Sequence, residues 1–108
     1  MYEKMEREEL EANLDNEEEI TLIEVLEEKE YNRSHIEGAI NIPLADIGRE
    51  IKGKFDLDRK IVVYCADSNC QASPRAAEKL DQLGFTNVYD YEGGKKDWRE
   101  AGNPMTAG

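Results

Sequence analysis

Two cysteines, Cys65 and Cys70, fall in the stretch IVVYCADSNCQAS, residues 61–73. An apolar, largely β-branched run ends at Cys65, small and polar residues follow, and Ser73-Pro74 opens a segment with helical spacing. A cysteine at the carboxyl end of a strand, just ahead of a helix, sits where open α/β sheets bind their ligands. The backbone N–H groups of residues 66–71 and of the helix start would form an anion cradle, and they would favour thiolate over thiol. A cysteine so placed is a candidate nucleophile. The opposing reading is a buried, inert cysteine, a common fate for this residue. On strand, loop and helix context alone the two readings stand level.

Other chemistries fit less well. Cys65, Cys70 and the single histidine, His35, fall short of the four ligands of a structural zinc site, so no metal is expected. No G-x-x-x-x-G-K-[ST] run occurs, which excludes a nucleotide P-loop, and no cofactor is expected. Two cysteines do not make a disulfide scaffold, and a reducing, cytoplasmic location is the expectation. No apolar run approaches the roughly 20 residues that span a bilayer, and the first residues carry no signal-peptide core. No membrane association is therefore expected.

The net charge of −11 is unevenly spread. Residues 1–30 hold 13 Asp and Glu against 3 Lys and Arg, whereas residues 31–108 hold 12 against 11. A solvated helix or arm is favoured for the acidic segment over a docking arm for a basic partner. With no basic stripe to neutralise phosphates, nucleic acid is not an expected ligand.

The elements that must position the cysteines follow from periodicity. A short, weakly amphipathic helix is expected over residues 3–14, ending near Asp15–Asn16. ITLIEVL, residues 20–26, reads as a buried strand, and EEKEY as one helical turn. HIEGAINIPL gives a glycine turn, a short strand and a proline stop. Leu44, Ile47 and Ile51 share one helix face within residues 44–53. IVVYC is the most apolar strand and the expected centre of the sheet. Ser73 is the expected N-cap of a helix with Pro74 at its first position, Gly84 as its stop and Ala76, Ala77, Leu80 and Leu83 on its buried face. NVYDY is a further strand, and KKDWREAG a last helix closed by Gly102 and Pro104. His35 and Trp98 read as structural, and Gly38, Gly93 and Gly94 as positions that need open backbone angles. Alternating strands and helices argue an α/β sandwich on a mostly parallel sheet.

Three collinear stretches resemble the rhodanese-like domain family. LIEVLEEKEYNRSHIEGAINIP resembles its signature L-I-D-V-R-x-x-x-E-Y-x-x-G-H-I-x-G-A-x-N-I-P. IVVYC with its loop and the helix bearing AAEKL resembles the family's catalytic strand. LGFTNVYDYEGGKKDWREAGNP resembles L-G-[YF]-x-x-V-x-x-x-x-G-G-x-x-x-W-x-x-x-G-x-P. The resemblance implies a three-layer sandwich with a central five-stranded, mostly parallel sheet and helices on both faces. It places an acidic N-terminal helix or arm at residues 1–19 and the rhodanese-like domain at 20–108. It also implies a sulfurtransferase or persulfide carrier. Cys65 would take a sulfane sulfur from a small donor, thiosulfate or a persulfide, and pass it to a thiol, to cyanide or to a protein acceptor.

Four departures from the family pattern bear on activity. Active members often read C-x-x-G-x-R-S, and the arginine helps hold the anionic donor. Here the loop is Cys65, Ala66, Asp67, Ser68, Asn69, Cys70, Gln71, two residues longer and without that arginine. Leu26 stands for the arginine of D-V-R, and Ser34 for the glycine before the histidine. Asp67 brings a negative charge that opposes an anion, so weak turnover of thiosulfate is expected.

Arg75 is the candidate substitute cation. It follows Cys70 at the spacing by which the family arginine follows its cysteine, so Cys70 is the competing nucleophile. The strand end and helix start favour Cys65. Cys70 is then a candidate resolving cysteine, or a loop residue without redox consequence, and the two readings stand level. Functional alternatives are a non-catalytic binding or redox-regulatory module and, more weakly, a phosphatase or arsenate reductase. The last would need C-x5-R, and position 71 is glutamine.

Overall fold

The computed structural model describes residues 1–16, 19–51 and 53–108. Glu17, Glu18 and Lys52 lie outside them, so the expected acidic arm and the expected 44–53 helix are followed only around those positions. In chain order the elements are β1 (Glu3–Met5), α1 (Arg7–Asp15), β2 (Thr21–Glu24), α2 (Glu28–Arg33), β3 (His35–Ile36), β4 (Ile40–Asn41), a 3-10 turn (Leu44–Asp46), α3 (Ile47–Glu50), β5 (Ile61–Tyr64), α4 (Ala72–Gln82), β6 (Val88–Tyr91), α5 (Gly94–Glu100) and β7 (Met105–Thr106). Five strands form one parallel sheet in the order β1-β6-β5-β2-β4. β3 and β7 make a separate antiparallel pair.

Period-two alternation divides the core into two layers. Ile23, Ile61, Val63 and Cys65 face α3 and α4, where they pack on Ile47, Ile51, Ala76, Ala77 and Leu80. Leu22, Val62 and Tyr64 face the opposite way and pack with Leu10, Ile36, Tyr91 and Trp98. β5 is buried on both faces, with all four residues at 0% exposure, which is why it reads as an unbroken apolar run. The expected five-stranded sheet with IVVY at its centre is the one observed.

Several elements differ from expectation. The first helix begins at Arg7, not Glu3, because residues 3–5 form the edge strand against β6. Met5 turns into the core while Lys4 faces outward and pairs with Glu92 at 2.9 Å, a charged edge of the kind that discourages further pairing. Leu83 lies past the end of α4 and is 37% exposed, so it is not part of the buried face. Gly93 has φ −62° and needs no special backbone freedom. Its constraint is steric, since a Cβ there would sit 2.7 Å from Asp97 Cβ. His35 stacks on Tyr31 and its Nδ1 lies 2.9 Å from the Tyr31 carbonyl oxygen, and Trp98 Nε1 donates to the Pro104 carbonyl, both structural roles.

α5 is tied to the sheet through a buried ion pair. Glu24, at 0% exposure, takes a hydrogen bond from Lys95 Nζ at 3.1 Å and one from the Tyr64 hydroxyl at 2.9 Å. Lys95 Nζ also donates to the carbonyls of Glu30 and Ser34. Burial pushes the Glu24 carboxyl up from its ordinary range, and Lys95 and Tyr64 pull against that shift. The next contact toward the N-terminus of α5 is with the strand-end loop. Lys95 N–H donates to the Cys65 carbonyl at 3.0 Å and Lys96 N–H to that of Ala66 at 2.9 Å. Gly94 makes this approach possible: its φ is +67°, and a Cβ there would overlap the Cys65 carbonyl oxygen and lie 2.9 Å from Ala66 C.

Breaking a buried ion pair on one side costs about 3–5 kcal/mol, against a typical domain stability of about 5–15 kcal/mol. Lys95→Met is expected to lower the urea midpoint by about a third or more, and adding Glu24→Gln to recover part of that loss. Urea unfolding of the single and double variants measures both effects. Gly94→Ala is expected to cost at least about 2 kcal/mol, because a left-handed angle on an L-residue adds to the overlap with Cys65. Its amide spectrum should show the change concentrated at Cys65, Ala66 and Asp67.

Candidate active site

Cys65 follows the last residue of β5, at the carboxyl end of the middle strand, and is 1% exposed. From it the loop 66–71 turns back on itself. Asp67 accepts the Asn69 N–H through Oδ1 at 3.0 Å and the Cys70 N–H through its carbonyl at 3.1 Å. This turn brings Cys70 over Cys65, and the two sulfurs are joined in a disulfide with Cα atoms 6.3 Å apart. Such a separation lies inside the usual disulfide range. Cys70 is half-buried and forms the outer half of the bond, with Cys65 beneath it.

The amides expected to form a cradle are thus partly committed. Those of Asn69 and Cys70 serve the loop's own turn, whereas those of Ala66, Asp67, Ser68 and Gln71 have no protein acceptor among the described residues. The Asp67 carboxylate has a structural task in that turn, which the sequence reading did not foresee.

Ser73 is not the helix N-cap. α4 begins at Ala72 with Gln71 in the capping position and no side-chain cap hydrogen bond. Pro74 still falls in the first turn, where its missing N–H has no helical partner to lose. Freed from capping, Ser73 turns inward, 2% exposed, and its Oγ lies 3.5 Å from Cys65 Sγ. Asp90 on β6 is 1% exposed, and burial pushes its carboxyl up from the ordinary range, with the Ser73 hydroxyl opposing.

Arg75 is exposed on the first turn of α4, and its side chain makes no hydrogen bond or ion pair among the described residues. The cations next to the loop come from other elements. A depression of about 490 Å³ beside Ala66 and Asp67 is lined by Arg33 at the end of α2 and by Lys96 and Arg99 on α5. Arg99 donates to Ser34 Oγ, and Arg33 lies 3.6 Å from Glu30. The sequence reading missed these three residues, because only the packing of α2 beside α5 brings them to the loop. Asp90 was missed for a similar reason, since its cross-strand neighbours Lys4 and Val63 lie on other elements. Among the described residues no group of three or more His, Cys, Asp or Glu is placed to hold a metal ion, and no helix is long and apolar enough to cross a membrane.

Comparison with known proteins agrees with this geometry. The family model described as "Rhodanese-like domain" matches residues 6–101. The HTH-type transcriptional regulator Rv0324 of Mycobacterium tuberculosis is 37% identical over 90 residues, which are 83% of this chain and 39% of the regulator. The thiosulfate sulfurtransferase GlpE of Shewanella oneidensis is 33% identical over 82 residues, 76% of this chain and 78% of GlpE. The chain spans 39% and 59% of the length of the first curated relatives it matches. Among solved structures, the crystal structure of a rhodanese-related protein from Thermoplasma volcanium superposes with a TM-score of 0.82 at 32% identity, covering 97% of this chain and 98% of that one. With its parallel five-stranded sheet, its strand-end cysteine and a family match over most of its length, the chain belongs to the rhodanese-like domain family.

Proposed function

We propose that the protein is a sulfurtransferase or persulfide carrier with Cys65 as its nucleophile. The observation that carries this reading is the place of Cys65 at the carboxyl end of the middle strand, beneath a polar loop with open amides. In the reduced protein the Cys65 thiolate attacks the sulfane sulfur of a donor such as thiosulfate. A new S–S bond forms, the donor's S–S bond breaks, sulfite leaves, and Cys65 carries a persulfide. An acceptor thiolate or cyanide then attacks the outer sulfur, and Cys65 leaves as thiolate. The persulfide anion and its donor call for N–H groups and cations with little steric bulk. The amides of Ala66, Ser68 and Gln71 and the side chains of Arg33, Lys96 and Arg99 supply them. Arg75, on α4, is exposed and does not line that depression.

Cys70 is the resolving cysteine in this reading. Its thiolate attacks Cys65 Sγ of the persulfide, hydrosulfide leaves, and the Cys65–Cys70 disulfide remains. A second reading, a redox-regulatory module, is favoured by that same disulfide, which covers the nucleophile. Physiological partners are a small sulfur donor and a thiol or protein acceptor, in a cytoplasmic setting whose thiols reopen the bond.

Intact mass separates these readings. Reduced protein treated with thiosulfate or a persulfide donor is expected to gain one sulfur when Cys70 is changed to Ser, and none when Cys65 is changed to Ser. Wild type should instead lose two hydrogens as the disulfide closes. Sulfur carried by the Cys65→Ser variant would make Cys70 the nucleophile. Disulfide closure in wild type, together with no sulfur gain in the Cys70→Ser variant, would leave only the regulatory reading.

A charge about 4 Å from an anion is worth about 1 to 4 kcal/mol across the dielectrics that apply near a protein surface. Asp67→Asn keeps an acceptor for the Asn69 N–H and removes that charge. Thiosulfate turnover is expected to rise severalfold through a lower KM, read in a cyanide-coupled assay. Unchanged turnover in both Asp67→Asn and Asp67→Arg would show that loop charge does not limit the reaction.

A further inference from the structure

The two sulfurs of the Cys65–Cys70 disulfide stand in different surroundings. Cys65 is 1% exposed and belongs to the core layer that holds Val63, Ala76 and Ala77, and its Sγ lies 3.5 Å from Ser73 Oγ. Cys70 is half-buried at the margin of that layer, between the exposed residues Asn69 and Gln71. Thiol–disulfide exchange runs in line: the attacking sulfur approaches along the S–S axis, opposite the sulfur that leaves. At Cys65 that approach would come through the packed core. At Cys70 it comes from the outer side of the loop.

The leaving group is decided by the same surroundings. A sulfur leaves more readily when its thiolate finds N–H and O–H donors. The loop amides of Ala66, Asp67, Ser68 and Gln71 have no protein acceptor among the described residues. The Ser73 hydroxyl can turn its proton toward Cys65 Sγ once that sulfur is a thiolate. Access to Cys70 and stabilisation of a departing Cys65 therefore select one direction of attack.

We propose that Cys70 is a thiolation site: a small-molecule thiolate bonds to Cys70 Sγ, the Cys65–Cys70 bond breaks, and Cys65 leaves as thiolate. This inference rests on the reading of Cys65 as the nucleophile. The incoming thiol gives its proton to water before it attacks. Its sulfur is oxidised to the disulfide level, Cys65 is reduced, Cys70 keeps its oxidation state, and one thiolate is consumed as another is released. Opening the bond and arming the nucleophile are then a single step. While Cys70 carries the adduct it has no thiolate with which to attack a Cys65 persulfide, so the sulfur is not expelled as hydrosulfide. Thiolation of Cys70 thus favours sulfur carriage over disulfide closure. A second thiol that attacks the adduct frees Cys70 and restores closure.

The test uses the full chain in its disulfide form, with reduced glutathione as the probe. Samples are quenched over time with excess iodoacetamide, and intact mass finds molecules that carry one glutathionyl and one carbamidomethyl group. Fragment ions of the tryptic peptide 61–75, which holds both cysteines, assign each group to its residue. The glutathionyl group is expected on Cys70 and the carbamidomethyl group on Cys65, by about tenfold or more over the reverse assignment. A glutathionyl group on Cys65, equal labelling of the two sulfurs, or full reduction with no adduct at any time overturns the site. Sulfur loading of the Cys70→Ser variant is the separate readout for sulfur transfer. An adduct on Cys70 with no such loading keeps the thiolation site and removes the transferase reading, while an adduct on Cys65 with loading does the reverse.

Discussion

Lys95 is the residue on which the site depends most. Its ammonium neutralises Glu24 at the end of β2 and takes up two carbonyls around the end of α2. Its backbone N–H fixes the Cys65 carbonyl. One residue thus joins β2, α2, α5 and the strand-end loop. The carboxylate cannot stay buried and charged without the ammonium, and the loop cannot sit against α5 without the glycine before it. The strand-end cysteine is held from behind by backbone, which leaves its sulfur side facing Cys70 and Ser73.

Much of this was legible in the residues. IVVY announces a strand buried on both faces, and Gly94 announces a position that needs open backbone angles, although not the close approach to Cys65 that also requires it. The N-terminal strand was not legible. EKM carries three residues with no alternation long enough to register, and the helical spacing of the following residues hides it. Ser73 before Pro74 is the local pattern of a helix cap, yet its hydroxyl turns inward to Cys65 Sγ at the end of β5. The cations beside the loop are scattered across the chain as Arg33, Lys96 and Arg99, and no spacing rule links residues whose elements meet only in space.

The loop shows how a charge can be both structural and obstructive. Asp67 lets the chain reverse within four residues, because its carboxylate accepts the Asn69 N–H and its carbonyl the Cys70 N–H. That reversal places Cys70 over Cys65. Beside the same carboxylate stand basic residues of α2 and α5, with Glu30 and Glu100 among them. The field at the loop is therefore a balance between near charges of both signs and not the uniform positive field that a loop arginine would give.

The outermost strand of the sheet has a consequence for synthesis. Glu3 of β1 pairs with Tyr89 of β6, and His35 of β3 pairs with Thr106 of β7. Neither ladder can close while the later partner is still inside the exit tunnel. The sheet and the small antiparallel pair thus close only after β6 and β7 have emerged, and β1 and β3 wait unpaired until then. Nascent chains stalled short of that point should depend on holding chaperones.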